Sequence, residues 1–392
     1  MHQGKYTTAA KEYAAMALIT DQSPSGDGWV PSFEQKFSEF SGMQYAISVN
    51  SATSGLHAAL MAVGVGPGDE VISPGLTVVM DAYATLFCGA VPVFADVDLN
   101  TWNLNPESVE KLITSKTRAI LTVSWFGLPS ELGQLREIAN RHGLALIDDS
   151  AETMISRNLQ EEEWQLPDIR VFSFESKKHF TTGGEGGMVT TNSPELAEKV
   201  RKLAGIGYRH LGPSKGRTHL AARDFQTPGY LRFDTVGYNY RMTPVSAAIG
   251  LGQLEGVEEF LNARKRCAQA LAKAIDGYSF FVPQLPETFH SYYSFGFRLV
   301  EEKANGWGWQ EIYDRITELG GDGFYSNCAN PYLEPSLEAT NPGWQKFEPG
   351  LCPVAEHLQK TVLAFKTNYL DFKLLEKNAM ILNQVCKEIA GE

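Results

Sequence analysis

The chain has 392 residues, 43% hydrophobic and 20% charged, ordinary figures for a globular protein and enough chain for two domains with cores of their own. Its 34 basic against 46 acidic residues leave a net charge of −12, which argues against nucleic acid or an anionic membrane as the main partner. No apolar run approaches the roughly 20 residues of a membrane span, residues 1–22 lack the apolar core of a secretion signal, and five scattered cysteines without a C-x-x-C pair predict free thiols in a reducing cytoplasm.

Residues 24–42 open with a turn-rich SPSGDGW and continue as an amphipathic segment. Ala46 to Val49 reads as a strand that runs into Asn50-Ser51-Ala52-Thr53-Ser54 and then a helix pattern, GLHAALMAVG. A strand, a turn of small residues and a helix start make a ready phosphate site, because free N–H groups and the helix dipole both favour an anion; a simple Ser or Thr helix cap explains the same residues. The glycines of 64–68 follow a helix and precede a strand, so they mark a connecting turn rather than a nucleotide loop. Strand, helix and strand then alternate over 70–99, with further strands at 119–126 and Leu144–Ile147 and a helix over 130–142. Repeated alternation of this kind predicts a largely parallel sheet covered by helices on both faces. Asp148-Asp149-Ser150-Ala151-Glu152 sits at the end of the last of those strands, where ligands of open α/β sheets gather; helix capping is the alternative.

Residues 171–191, VFSFESKKHFTTGGEGGMVTT, read as a strand, a polar turn with two lysines, a glycine-rich loop and a second strand. A lysine just past a strand end is placed to form a Schiff base once burial or neighbours make its amine nucleophilic. A surface turn with two solvated lysines is the plain alternative. A capped helix over 193–204 comes next, then a polar, turn-rich connection to residue 233. Within it, residues 208–232 carry Arg209, Lys215, Arg217, Arg223, Arg232, His210 and His219 against the single acid Asp224. Such a basic excess in an acidic chain marks either an anion site, with Arg217 and Arg223 the candidates, or a solvated loop. Residues 243–275 read as one long helix with a small-residue face (Ala247, Ala248, Gly250, Gly252) suited to close packing. The joint between a large domain, 1–255, and a smaller C-terminal α+β domain, 256–392, falls in it. A strand at 291–300, a helix at 308–319 and a helix-rich terminus complete the chain.

Four stretches together resemble one family. Phe172-Ser173-Phe174, three residues, Lys178, and Glu185-Gly186-Gly187 resemble the Schiff-base segment of the DegT/DnrJ/EryC1/StrS aminotransferases, which act on sugars and use pyridoxal phosphate (PLP). Ala52-Thr53 matches the Gly-Thr of that family's N-S-G-T. Asn239-Tyr240-Arg241-Met242 matches its Asn-Tyr-Arg-Met, and Cys352-Pro353-Val354-Ala355-Glu356 its C-P-x-A-E. The resemblance runs from about residue 25 to the end. It implies the type I, aspartate-aminotransferase-like PLP fold, a large α/β domain with a mixed, mostly parallel sheet, and a homodimer with shared active sites. Register selects Lys178 over Lys177 as the Schiff-base lysine and general base, and the loop is one residue longer than the commonest form, through Gly183 and Gly184.

The resemblance implies further roles, residue by residue. Asp149 takes the place of the aspartate that keeps the pyridine nitrogen protonated. Glu152 takes the place beside the ring hydroxyl, where a carboxylate is strained and is expected to be protonated or turned away. Ala52, Thr53 and Ser173 fall at the PLP phosphate, and Asn239 at the phosphate of the neighbouring subunit. Val78 stands after Pro74-Gly75-Leu76-Thr77, where the family usually stacks an aromatic residue on the ring; ordinary core is the alternative. His179 joins Arg217 and Arg223 as a candidate substrate contact. The implied reaction is a ping-pong transfer from L-glutamate to a keto or aldehyde carbon of a nucleotide-linked sugar, a cyclitol or a sugar acid. Two competitors stay open. A PLP-dependent sugar dehydratase would carry His in place of Lys178, and a non-catalytic binding or regulatory protein on the same fold would carry a broken lysine or aspartate.

Overall fold

Strand β1 (Tyr45–Val49) delivers the chain to the edge of a seven-stranded sheet, and the elements after it carry the chemistry to one side of that sheet. The structure, a computed structural model, describes residues 5–20, 28–154, 165–214, 223, 226–285, 289–326, 328–340 and 343–392. Ahead of β1 come α1 (Thr8–Leu18) and the amphipathic α2 (Trp29–Ser41), which ends on Gly42 at φ 69°. After it the predicted alternation appears: α3 (Ala52–Ala62), β2 (Glu70–Pro74), α4 (Met80–Phe87), β3 (Val91–Ala95), α5 (Pro106–Leu112), β4 (Thr117–Val123), α6 (Leu132–His142), β5 (Ala145–Asp149), β6 (Ile169–Ser173), β7 (Gly187–Thr191) and α7 (Pro194–Ala204). The strand expected over 119–126 stops at Val123, because Phe126 turns the chain with φ 56°.

The strand order is β1-β7-β6-β5-β4-β2-β3. β7 runs antiparallel to both neighbours, and the other pairings are parallel. The carboxyl ends of β1, β2, β4, β5 and β6 therefore share one edge, the edge where α/β sheets bind ligands. β2, β6 and β7 are buried at every residue, as strands covered on both faces are, and the charges of Glu70 and Arg170 are buried with them. Gly55 lets α3 lie on the sheet: a Cβ there would meet Val171 and Val189 at 3.0 and 3.1 Å.

The long helix expected over 243–275 is two helices, α8 (Pro244–Leu254) and α9 (Val257–Ile275), broken at Glu255 and Gly256. A Cβ on Gly256 would lie 2.9 Å from Thr7 Cγ2, so the break lets α1 approach. The small-residue face of α8 packs on α1 and α2, with Gly250 against the Phe33 ring and Gly252 against the Ala10 backbone. Beyond it, β8 (Phe281–Pro283), β9 (Ser294–Leu299) and β10 (Val362–Lys366) form a second, antiparallel sheet in the order β10-β9-β8. α9, α10 (Trp309–Glu318) and the terminal helix Phe372–Ala390 cover it around Leu271, Phe297, Ile312, Phe365 and Leu382. Tyr332, Leu337, Cys352, Ala355 and Leu358 instead return to the core of the large sheet. No described helix is long and apolar enough to cross a membrane, and the described cysteines are free thiols.

Gly252→Ala tests the α1–α8 contact. The added Cβ would fall 2.3 Å from Ala10 N, and overpacking of this kind costs about 1–3 kcal/mol. Gly66, whose Cβ would meet nothing within 4 Å, is the control, with Gly66→Ala expected within about 0.5 kcal/mol of wild type. Urea titrations compare the two.

Candidate active site

The loop from β6 to β7 carries the lysines. Lys178 N–H donates to Glu175 O (3.0 Å), and the carbonyls of Lys177 and Lys178 accept from Arg264 Nη2 at 3.1 and 3.0 Å. Arg264 stands on α9, and its Nη1 donates to Tyr293 O (2.9 Å) and Thr367 Oγ1 (2.8 Å). The guanidinium thus fixes the lysine backbone against the second sheet. The return of the loop requires glycine: Gly186 has φ 153°, and a Cβ there would lie 2.0 Å from Thr182 Oγ1. Lys177 points to solvent, whereas Lys178 is largely enclosed.

Lys178 Nζ lies 3.3 Å from Glu152 Oε1 and 4.4 Å from the centre of the Tyr293 ring. Burial alone would lower its pKa, but Glu152, Tyr293 and Asp149 outweigh burial and hold it above the usual lysine value. The other Glu152 oxygen accepts from Phe126 N–H at 3.2 Å. Glu152 faces Lys178 and takes a donor on each oxygen, and the positive φ of Phe126 is what aims one of them.

Asp149 closes β5 with Oδ1 accepting from Ala151 N–H at 2.8 Å. Burial lifts its pKa to about 6 against the opposing pull of the Ala151 N–H and Lys178. Its neighbour Asp148 points away from Lys178, into a buried pair with Arg170 that Ser124 and Ser150 complete. On the far side of Asp149 stands Asp81, in the first turn of α4, wholly buried and bonded by Thr77 Oγ1 at 2.8 Å.

At the sheet edge, Ser51 caps α3 by accepting from Ser54 N–H (3.2 Å), which leaves Ala52 and Thr53 in the first turn. A Cβ on Gly187 would come within 2.8 Å of Ala52 N. Glycine there lets β7 and the Ser173 end of β6 approach the helix start. Ser173 is buried, and its Oγ accepts from Glu175 N–H at 3.3 Å. Val78 is half-buried at the rim of the main core.

Other candidates stand elsewhere. His179 is buried with Nε2 3.2 Å from Ser291 O, and burial and Arg264 depress its pKa far below the ordinary value. It packs between the loop and the second sheet. Asn239 is exposed and accepts from Arg241 Nε at 2.9 Å. Arg223 is exposed, its carbonyl taking a bond from Thr227; Arg217 lies outside the described residues, with Lys215, His219 and Asp224. Tyr293, Arg264, Phe126 and Asp81 are missed by the sequence reading. Only Asp81 leaves a signal there, an acid between apolar residues in the helix after Thr77.

A model of the DegT/DnrJ/EryC1/StrS aminotransferase family matches residues 8–339. The chain is 40% identical over 256 residues to a GDP-perosamine synthase of Caulobacter vibrioides, a match covering 65% of this chain and 64% of that protein. It is 35% identical over 293 residues to a GDP-perosamine synthase of Escherichia coli O157:H7, covering 75% and 76%. Among solved structures, an aminotransferase from Psychrobacter cryohalolentis superposes with a TM-score of 0.84 at 28% identity, over 98% of both chains. A 3-amino-5-hydroxybenzoic acid synthase superposes at 0.80 and 26%, over 98% of this chain and 97% of that one. The fold is the type I aminotransferase fold.

Arg264→Met keeps the bulk of the stem and removes four donated hydrogen bonds, those to the Lys177 and Lys178 carbonyls among them, for an expected cost of about 1–3 kcal/mol. Urea unfolding measures that cost, and faster amide exchange over residues 174–186 shows whether the lysine loop is what comes loose.

Proposed function

The chain belongs to the DegT/DnrJ/EryC1/StrS aminotransferase family, and on that premise we propose that it moves an amino group from L-glutamate to a keto or aldehyde carbon of a sugar, in two half-reactions on PLP. The observation that carries this reading is the enclosed Lys178 amine, held between Glu152 and Tyr293 beside a buried Asp149, at the carboxyl edge of the sheet.

The residues fit the cofactor. The first turn of α3 offers free N–H groups to a phosphate, Gly187 keeps the space beside Ala52 N clear, and Asp149 supplies a buried carboxyl for a ring nitrogen. Lys178 would attach the group, Ala52, Thr53 and Ser173 would hold its phosphate, Asn239 would reach the phosphate in a second copy, and Val78 would cover the ring. When bound, PLP supplies an electron sink for the carbanion left by loss of a proton from the amino-acid Cα.

This chain's own residues handle the protons. Lys178 Nζ must lose a proton before it can attack a carbonyl, and Glu152 Oε1 is the acceptor at 3.3 Å. The freed amine then takes the Cα proton as general base and returns it as general acid at the other carbon. The Tyr293 ring covers one side of that amine. The face of Tyr293 also favours the ammonium over the neutral amine.

Two relatives named for GDP-perosamine support a nucleotide-linked sugar as acceptor. Leu231, Phe233 and Val236 are exposed close to Asn239. A second copy covering them would form the homodimer and carry Asn239 toward the neighbouring site. In this reading the loop over 208–232 grips a phosphate or carboxylate of the sugar, and arginine suits that work through its two-pronged donor.

Lys178→Ala is expected to abolish amine formation with the fold intact, and Lys177→Ala to keep most of it. Purified protein with PLP and glutamate, screened against nucleotide-linked keto sugars, cyclitols and oxidised sugar acids, checks both. No amine from any class, or an active Lys178→Ala, overturns the reading. Separately, Arg217→Ala and Arg223→Ala are expected to raise the sugar KM and leave the glutamate half-reaction unchanged. An equal sugar KM in wild type and both variants removes the loop from substrate binding.

A further inference from the structure

Asp81 has no task in the proposed reaction, yet no acid beside the site is more enclosed. It is wholly buried in the first turn of α4, with Thr77 Oγ1 donating to Oδ2 at 2.8 Å. Its other oxygen, Oδ1, is buried and has no hydrogen-bond partner among the described residues. The group it does face is the Asp149 carboxyl, within hydrogen-bonding reach. Two buried acceptors that meet with no hydrogen between them form an arrangement that folded proteins avoid.

A proton between the two acids removes the conflict. We propose that Asp81 is a positioning residue: a neutral carboxylic acid whose O–H donates to the Asp149 carboxylate and sets its orientation and charge for the ring nitrogen of the cofactor. The proton resides on Asp81 because Asp149 already has the Ala151 N–H and a nearby ammonium to stabilise its anion, whereas Asp81 has only the Thr77 hydroxyl. Burial and Asp149 both raise the Asp81 pKa, in that order, and Thr77 opposes them. The dipole of α4 favours an anion in its first turn, but it acts on a group with no water and a carboxyl neighbour.

The surrounding charges agree. Glu152 adds a weaker repulsion to Asp81, and Lys178 draws on Asp149. Asp148 adds a repulsion to Asp149 but is itself bound to Arg170. An Asp81–Asp149 pair that carries one proton has a single negative charge, which one protonated ring nitrogen would match. The purpose of the pairing rests on the PLP reading; the shared proton does not.

Asp81→Asn keeps the shape, accepts from Thr77 and donates to Asp149, but cannot titrate. Asp81→Ala removes the donor. The first measurement is thermal unfolding of the cofactor-free protein from about pH 5 to 8. A carboxyl whose folded pKa lies above its unfolded value contributes stability at low pH that is lost as pH rises through the folded pKa. Wild-type stability is therefore expected to fall over this range, and the fall to be smaller in Asp81→Asn. The second is PLP affinity near neutral pH, with Asp81→Asn close to wild type and Asp81→Ala weaker by about tenfold, the equivalent of one strong hydrogen bond. The third is infrared difference spectroscopy, where wild type should show the carbonyl band of a protonated acid that Asp81→Asn lacks.

An unchanged pH slope in Asp81→Asn, equal PLP affinity in the two variants, or no acid band in wild type overturns the proposal. If Asp81→Ala does not fold, the slope and the band still decide it. A chain that binds no PLP at all would overturn the proposed function and leave those two arms standing as a test of the shared proton.

Discussion

One buried guanidinium joins the three pieces of chain from which the site is made. Arg264 leaves α9, crosses to the lysine loop of the large sheet, and binds the backbone on both sides of the gap. It has no carboxylate partner of its own among its hydrogen bonds. Its charge is offset by four carbonyl and hydroxyl oxygens, and burial pulls its pKa down to about 10. A cation at that spot cannot move into water without freeing Lys178, Tyr293 and the chain at Thr367 together. The orientation of the amine is therefore set by the packing of the second sheet, through a residue 86 positions further along the chain, as much as by the strand that carries it.

Besides Arg264, the charges around the amine form two ion pairs and one pair of acids. Lys178 faces Glu152, Arg170 faces Asp148, and Asp149 is left beside Asp81. In water such pairs contribute little, but here most of the partners are enclosed, and each mismatch carries a desolvation cost. Local backbone geometry enforces the arrangement. The turn at Phe126 brings an N–H to Glu152, and the start of α4 brings Thr77 to Asp81.

Much of this is legible in the sequence because it is local. The strand ends, the capped start of α3, the paired aspartates after β5 and the glycine loop all lie within a few residues of what they do. Lys178, Asp149, Ser173 and the first turn of α3 fall at one edge for that reason. The contributors that escape are those whose role depends on distant chain. Arg264 lies in an ordinary amphipathic helix, and Tyr293 in a run of aromatic residues that looks like strand core. The break at Gly256 is hidden because only the approach of α1 requires it. The Phe126 N–H on Glu152 escapes as well, because it depends on the turn after β4. His179 stands next to Lys178 in sequence, but its side chain turns to Ser291 instead of the site.

The pairing of β1 sets an order of assembly. β1 occupies the edge of the large sheet, and its ladder is made with β7, Tyr45 opposite Thr191 and Val49 opposite Gly187. A contact between segments so far apart in sequence closes a long loop and forms late. On the ribosome, β1 and the helix start behind it wait without a strand partner until residues 187–191 have emerged, and Lys178 emerges before them. A chain truncated anywhere short of β7 therefore carries an unpaired strand edge, a liability to aggregation. The pairing of β1 beside the start of α3 is completed only in chains that already hold Lys178.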